Sequence, residues 1–370
     1  MDGWSAIAAE RITAILEELT QVDDRDGGRL FDSWIPAVPA ADGEVMLHIT
    51  GNVIAADIIQ LDQQCVIRQP EPIRTSQTAI PKIKHGQMIG EYQIDLLDRL
   101  DRNLATTGDR RAFDNYVVRS LNRLLAGVRD RRELLYSAML CDDLDYNRFG
   151  IIMSNVTWGM PATLKVTAGI AWSNPATATP ISDLEALLQA GEDTYGEQYD
   201  TVVMTRQGFD EMAATDEFIE RSQAWFQLQF ATGTFPTGNR NAMSQLAENI
   251  LSSPGRRVMI QVYNKRTYLE AGDGALSTAQ FLPDDKVILA DSRDFGSAEP
   301  WDFANADVIE TKRGMVPSLI GEEFAESIPG PVAYATAGDP NGDPPGQVLY
   351  AVQRGWPRKH RQSANAVLTI

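Results

Sequence analysis

Three aspartates that lie close together, Asp142, Asp143 and Asp145, are the residues of this sequence best placed to do chemistry. Neighbouring carboxylates can serve as a general acid and a general base when their surroundings keep one of them protonated. They directly follow a long helical pattern, where negative charge is slightly unfavourable because of the helix dipole. An exposed loop explains the same residues without any chemistry. We prefer the loop and keep a hydrolase as an alternative.

The three histidines offer no second catalytic or metal-binding site. His48, His85 and His360 fall in separate regions, and none has a partner at the spacing of a metal-binding pair. The sequence also contains no nucleophile elbow, no phosphate-binding glycine loop and no Cys-x-x-Cys pair. Together these absences predict a protein that is not an enzyme, with no catalytic, cofactor-binding or metal-binding residues and no cofactor.

One acidic loop resembles a calcium site only at its start. Residues 339–343 begin like a calcium-binding loop, but Pro344 stands at the sixth position, where a glycine is required. Tyr350 stands at the twelfth position, where a glutamate is required. We therefore predict that residues 329–345 form a plain loop rich in glycine and proline.

The elements that would position these residues are organised around one long helical pattern, from Gly108 to Asp142. Apolar residues recur there at three- and four-residue spacing, which predicts one buried helix face. Asp109 is predicted to be the N-cap. At ~1.5 Å per residue, some thirty residues span roughly 45 Å, far more than the ~11–12 residues of an average helix. The predicted apolar face consists of Phe113, Val117, Leu121, Leu124, Leu125, Val128, Leu135 and Met139.

Composition and charge restrict the class of protein. With 43% hydrophobic and 23% charged residues, the 370-residue chain is predicted to be globular. It has no apolar run of the ~20 residues that cross a bilayer, and we expect neither a signal peptide nor a membrane partner. Cys65 and Cys141 are far apart, which predicts folding in a reducing compartment without a disulfide. A net charge of −18 argues against a protein that grips nucleic acid, but not against one that only surrounds it.

The N-terminal part is predicted to reach away from the core. A first amphipathic helix ends near residue 23. Residues 31–39 contain two prolines and two aromatics, and we predict an extended arm that lies on another surface, because so short a segment cannot bury its own aromatic side chains. Residues 44–89 are strand-like but poor in apolar side chains, which predicts a projecting hairpin. Isolated hairpins are marginally stable, so this one is expected to lie on a neighbouring molecule.

The rest of the chain alternates strands and helices, which predicts a compact α/β lobe. Helices are predicted at 92–104, at 182–190 with Ser182 as N-cap, and at 207–213, 217–230 and 242–251. Strands are predicted at 147–156, 164–172, 201–204, 258–262, 268–271, 286–290, 308–312, 348–352 and 366–370.

The order of these elements resembles the major capsid protein of tailed bacteriophages, which has the Hong Kong 97-type fold. Within that superfamily it resembles the lambda-type (E family) major head protein. The resemblance covers most of the chain from residue 40 onward, and the order and spacing of structural motifs carry it. These motifs are Ile80-Pro81-Lys82-Ile83-Lys84, residues 131–140, residues 171–175 together with 180–184, and the tail 347–370 with its Trp356-Pro357 pair.

The resemblance implies an α+β fold that combines an N-terminal arm, an extended β-hairpin called the E-loop, a P-domain with a long spine helix, and an α/β A-domain. The implied parts of this chain are the arm (1–40), the E-loop region (41–90), the P-domain (91–177, with the spine helix at 109–140), the A-domain (178–300), and return strands of both domains with the C-terminal tail (301–370).

The function that the resemblance implies is that of a major capsid protein, which self-assembles into hexamers and pentamers of an icosahedral shell around double-stranded DNA. Its implied partners are further copies of itself, the portal, and scaffolding and cement (decoration) proteins. The implied location is the virion capsid, after assembly in the host cytoplasm. The alternatives are a non-viral shell of the same fold that encloses cargo, a tail or connector component, and a hydrolase that uses Asp142, Asp143 or Asp145.

Overall fold

The computed structural model describes residues 29–40, 44–46, 77–89, 107–148, 151–229, 240–253, 255–270, 276–306, 331–336 and 347–370. The helices of this part are α1 (Leu30–Trp34), α2 (Thr107–Leu140), α3 (Pro180–Tyr195), α4 (Arg206–Ala214), α5 (Asp216–Gln229) and α6 (Arg240–Leu251). The strands are β1 (Ala37–Pro39), β2 (Glu44–Met46), β3 (Gln77–Ala79), β4 (Lys82–Ile89), β5 (Leu144–Arg148), β6 (Ile151–Val156), β7 (Lys165–Thr167), β8 (Thr201–Met204), β9 (Met259–Val262), β10 (Arg266–Glu270), β11 (Leu276–Gln280), β12 (Lys286–Ala290), β13 (Trp301–Ala306), β14 (Val332–Thr336), β15 (Gln347–Lys359) and β16 (Asn365–Thr369).

Helix α2 is the long rod that the apolar spacing predicted. It contains 34 residues, which corresponds to about 50 Å. Asp109 is its third residue rather than its N-cap, and the helix begins two residues before position 109, where the resemblance placed the start of the spine helix. The predicted apolar face is confirmed where its side chains are described, since these are all buried: Leu124, Leu125, Val128, Leu135 and Met139.

A first five-stranded sheet is built around β15. In this sheet β15 pairs antiparallel with β13, β14 and β4, and β1 adds to β13 in parallel. Helix α2 packs against β15 and β4. Strand β14 lies within residues 329–345, which had been predicted to be a loop, and β13 was not predicted at all. Both strands are short, and their pairing with the long β15 supplies the backbone hydrogen bonds that favour the extended conformation.

A second five-stranded sheet has the order β7-β16-β12-β8-β9 and forms the core of the predicted α/β lobe. Strands β8 and β12 are fully or nearly fully buried, apart from the first residue of β12, and both occupy the predicted ranges. Helices α4, α5 and α6 also lie within two residues of their predicted bounds. These elements could be predicted because their continuous apolar runs or helical periods are local features of the sequence.

Other boundaries differ from the predictions. The stretch predicted as one strand at 147–156 is the antiparallel hairpin β5–β6, and β10 pairs with the unpredicted β11. Helix α3 begins at Pro180, so Ser182 lies inside the helix and is not its N-cap. The Ser182 hydroxyl instead donates a hydrogen bond to the Glu217 carboxylate of α5, which is a contact that local sequence cannot reveal.

Several predicted features lie outside the described residues. These are the first helix, the hairpin segment 47–76 with His48 and Cys65, the helix at 92–104, the strand at 308–312 and the loop at 339–343. Within the described ranges, no helix is both long and apolar enough to cross a membrane.

Candidate assembly site: helix α2 and the segments packed on it

The N-terminal segment 29–40 packs on its own chain, which corrects the prediction of an extended arm on another surface. Phe31 and Trp34 are buried in the one-turn helix α1. The Phe31 ring meets the Tyr263 ring edge-on at 5.3 Å between centroids. The Trp34 ring stacks on Phe295 at 3.9 Å. The aromatic side chains do need a surface to cover them, and the chain's own core supplies it.

Glu133 of α2 holds the start of this segment. Its fully buried carboxylate accepts hydrogen bonds from the backbone N–H groups of Phe31 and Asp32, each at 2.9 Å. It also accepts one from the Tyr263 hydroxyl at 2.7 Å. Burial raises the pKa of Glu133, and the three donated hydrogen bonds oppose that rise. The carboxylate therefore caps α1 from a distant part of the chain, at the helix end where N–H groups lack partners.

Two ion pairs flank the Glu133 contact. The Arg29 guanidinium lies 2.8 Å from the Asp130 carboxylate, which also accepts a hydrogen bond from Thr267. Arg132 pairs with Asp32 on the other side. Asp130 thus pairs with Arg29, Arg132 pairs with Asp32, and Glu133 caps α1. Three neighbouring residues of α2 hold the same short segment. We call this arrangement the α2 clamp.

The base of the predicted hairpin is anchored on the same helix. Strands β2 and β3 form an antiparallel ladder in which Met46 lies opposite Gln77, so the chain leaves and returns at adjacent positions. Strand β4 then joins the first sheet through β15. The exposed His85 of β4 lies against Gly127, where an added Cβ would come within 2.5 Å of the His85 Nδ1 atom. His85 is therefore a packing contact, and projection of residues 47–76 stays a prediction.

Two of the three aspartates after α2 bind backbone groups, each at a different place in the chain. Asp142 is 3% exposed, adopts a left-handed conformation with φ 53°, and accepts a 2.5 Å hydrogen bond from the Trp158 N–H. Asp143 and Asp145 are exposed, and Asp145 accepts from the Asn155 N–H. Asp142 closes the connection from α2 to β5, so its described role is structural. Nothing in this geometry presents a pair of carboxylates to a substrate.

The remaining candidate metal ligands that the structure describes are paired or buried within the fold. The His360 Nε2 atom lies 3.1 Å from the Asp302 carboxylate, which Arg358 also contacts. Cys141 is a free, buried thiol, and burial raises its pKa to about 12. Among the described residues, no three His, Cys, Asp or Glu side chains come together as a metal-binding group.

Lys359, which lies near Asp142, is a buried lysine that the sequence analysis did not single out. Its side chain is 2% exposed at the end of β15, and its ammonium group has no hydrogen-bond partner in the described structure. Burial lowers the pKa of Lys359 to about 7, although the negative charges of Asp142 and Glu197 favour the protonated form and Arg361 opposes it. A buried amine without a partner destabilises the fold whenever it is charged.

We expect Lys359→Met to raise stability at neutral pH and to flatten its pH dependence. The unfolded lysine binds its proton up to about pH 10.5, whereas the folded one releases it at about pH 7. Stability of the wild type should therefore rise with pH between these values, by at most about 1.4 kcal/mol per pH unit. Urea denaturation of both proteins between pH 7 and 9.5 measures this slope.

Lys359→Arg is the matched control for this experiment. An arginine stays charged throughout the range, so its curve should be as flat as that of Lys359→Met but lie below the wild type. A wild type and a Lys359→Met variant with parallel pH profiles would contradict the assignment of a displaced proton to Lys359.

Comparison with known proteins finds similarity in structure but not in sequence. No protein-family model matches the chain, and no curated protein matches its sequence. A "putative capsid protein" of a prophage of E. coli CFT073 has a similar structure, with 13% identity, a TM-score of 0.56, and coverage of 96% of this chain and 98% of that chain. A phage-related protein from Bordetella bronchiseptica RB50 has 13% identity and a TM-score of 0.48, with coverage of 97% and 95%.

The chain therefore has the fold of a phage capsid protein. The likeness to the prophage protein runs nearly end to end in both chains, and the described part combines helices and sheets as the resemblance implied. This confirms the predicted fold class. At 13% identity, the likeness establishes the fold alone.

Proposed function

We propose that this protein is a major capsid protein that self-assembles into the hexamers and pentamers of an icosahedral shell around double-stranded DNA. The observation that carries the proposal is the end-to-end structural likeness to the prophage protein. A shell subunit must present several separate contact surfaces on a rigid frame, because each copy meets several others. The 34-residue helix α2, with the α2 clamp at one side and the hairpin base at another, supports such a frame.

The division of the chain in this proposal follows the resemblance: arm 1–40, E-loop region 41–90, P-domain 91–177, A-domain 178–300 and return segment 301–370. The hairpin segment 47–76 would reach a neighbouring subunit. The portal, scaffolding and cement proteins would be further partners. The location would be the virion capsid, after assembly in the host cytoplasm.

The proposal includes no catalytic activity. In place of a reactive pair, Asp142 and Asp145 bind backbone N–H groups, and Asp143 is an exposed loop residue. Structural use of these carboxylates supports a shell protein over the hydrolase that they first suggested. Their conversion to asparagine should leave any background hydrolysis of model esters and phosphates unchanged.

A non-viral shell that encloses protein cargo is a second candidate, because the same subunit geometry can serve either content. The acidic net charge of −18 is compatible with both. The content of purified particles separates the two candidates: nuclease-protected double-stranded DNA supports a virion, whereas a single enriched protein supports a compartment.

Negative-stain electron microscopy of the purified chain, expressed alone and with a co-expressed candidate scaffold, tests the proposal. We expect closed particles of uniform size, or isolated hexamers and pentamers. Tubes or single rings would favour the tail or connector alternative. A monodisperse monomer in both preparations would refute the shell function.

A further inference from the structure

The middle of helix α2 carries positive charge in a chain that is otherwise strongly acidic. Residues 115–129 contain three arginines and no acidic residue. The whole chain has 51 acidic side chains in 370 residues, so a stretch of this length holds about two on average. In the α/β lobe, by contrast, residues 180–229 hold eleven acidic and two basic side chains. The middle of α2 therefore differs in sign from the lobe beside it.

Two of these arginines lie on the same side of the helix and are exposed. Arg119 and Arg123 are four positions apart, which places their Cβ atoms about 5–6 Å from each other. Neither guanidinium has a hydrogen bond or an ion pair within the described part of the chain. Gly127 follows in the same row, and the exposed His85 of β4 lies against it. We call Arg119 and Arg123 the arginine pair.

The other side of α2 fixes the direction in which the arginine pair points. Leu124, Leu125 and Val128 are buried, and the helix packs against β15 and β4. The α2 clamp holds the N-terminal segment at the next turns of the helix. These contacts fix the rotation of α2 about its axis, so the pair is presented on a rigid rod.

The surroundings of the arginine pair suit a phosphate backbone better than a second copy of the chain. The centre of an interface between protein copies is enriched in apolar and aromatic side chains. Within the described residues, the large apolar side chains that are exposed lie on or next to β7, β9, β10 and β11, and none lies on α2. Phosphate groups are bound by arginine, which can pair with two phosphate oxygens at once. Charge complementarity therefore favours a polyanion.

We propose that the exposed face of α2 lines the inside of the shell and that Arg119 and Arg123 contact the phosphate groups of the enclosed double-stranded DNA. The inference rests on the proposed function and deepens it, because it assigns the inner side of the subunit. Phosphate contacts carry no sequence information, so any enclosed DNA satisfies them. One copy would bind weakly at a net charge of −18, and the many copies of a shell would add their contacts.

Titration of a short fluorescent DNA duplex with the full-length chain, kept as unassembled subunits or capsomers, tests the phosphate contacts. Each neutralised phosphate contributes about 0.9 to the slope of log affinity against log salt concentration. We expect Arg119→Ala with Arg123→Ala to reduce this slope by about two and the affinity at low salt by about tenfold or more. Two duplexes of unrelated sequence should bind equally well.

The matched control is Arg206→Ala with Arg266→Ala, which removes two exposed arginines that line a cavity together with acidic side chains. The change in net charge is the same, but the salt slope should stay at the wild-type value. Arg119→Lys with Arg123→Lys keeps both charges and should keep the slope, while the affinity falls because lysine cannot pair with two oxygens. Circular dichroism establishes that each variant is folded.

Two measurements on shells test the placement of this face. Arg119→Glu with Arg123→Glu should form shells of wild-type size and yield in negative-stain microscopy, because the face does not join copies. The thiol of Arg119→Cys should react with a high-molecular-mass maleimide in dissociated subunits and be protected from it in closed shells. The wild-type chain gives the background labelling of its own cysteines.

Each other outcome has a defined meaning. A wild type that forms no shells would refute the proposed function and this inference with it. A wild type without duplex affinity, an unchanged salt slope in Arg119→Ala/Arg123→Ala, or labelling of Arg119→Cys in closed shells would overturn this inference and leave the shell function standing. A folded Arg119→Glu/Arg123→Glu variant without shells would show that the face binds a second copy, which would also overturn it.

Discussion

Replacement of residues 47–76 by an Asn-Gly turn should leave the subunit folded and abolish closed shells. Met46 and Gln77 are opposite each other in the β2–β3 ladder, and an Asn-Gly pair is the preferred two-residue connection of such strands. Strand β4 is untouched, so its pairing with β15 and its contact with α2 are kept. The variant would lose only the segment that the proposed function assigns to contacts between subunits.

Size-exclusion chromatography with light scattering, circular dichroism and negative-stain microscopy measure this outcome. The expected result is a helical, folded species no larger than a capsomer. A second variant with a Gly/Ser linker of the original length separates the role of the sequence from the role of chain length, and it too should fail to form shells. Intact shells from the Asn-Gly variant would show that residues 47–76 are dispensable for assembly.

Glu133→Ala should release the N-terminal segment and strongly destabilise the subunit. The substitution removes the acceptor for the Phe31 and Asp32 N–H groups and for the Tyr263 hydroxyl. Buried donors left without partners cost about 1–3 kcal/mol each, so the free energy of unfolding should fall by roughly 4 kcal/mol. Urea denaturation measures this loss, and the rate of tryptic cleavage after Arg29 reports release of the segment.

Asp145→Ala is the control, because Asp145 is exposed and accepts a single hydrogen bond from Asn155. Its effect should stay within about 0.5 kcal/mol, as is usual for surface positions. Glu133→Gln should lie between the two, since an amide keeps one oxygen acceptor. Equal stability of Glu133→Ala and the wild type would mean that α1 does not depend on the α2 clamp.

Several buried residues and strands could be placed from the local pattern of apolar residues alone. Val128 and Met139 could be placed on the buried face of α2 from spacing alone, since a helix repeats every 3.6 residues. Strands β8 and β12 could be placed from their short apolar runs. Strands β11, β13 and β14 were missed. Strand β13 is fully buried yet contains Asp302 and Asn305, whose polarity hides a strand in the sequence.

Candidate site residues were harder to predict than elements. Glu133 sits four positions before Ser137, which the structure also buries, and neither residue belongs to the apolar face predicted from the sequence. A glutamate there is unremarkable in sequence until Phe31, which is 102 positions away, supplies its N–H. Lys359 likewise stands in a basic run that looks like an exposed tail, and only the folded structure buries it.

The sequence by itself determined the long helix, the two buried strands of the α/β lobe, the acidic balance and the order of elements that indicates a capsid fold. Each of these depends on residues that are neighbours in the chain or on simple composition. The tertiary structure alone decided that Phe31 and Trp34 lie on their own subunit, that Ser182 bonds Glu217 instead of capping α3, and that Lys82 faces Arg354. These contacts join residues far apart in the chain, and their energies depend on burial and pairing that local patterns do not encode.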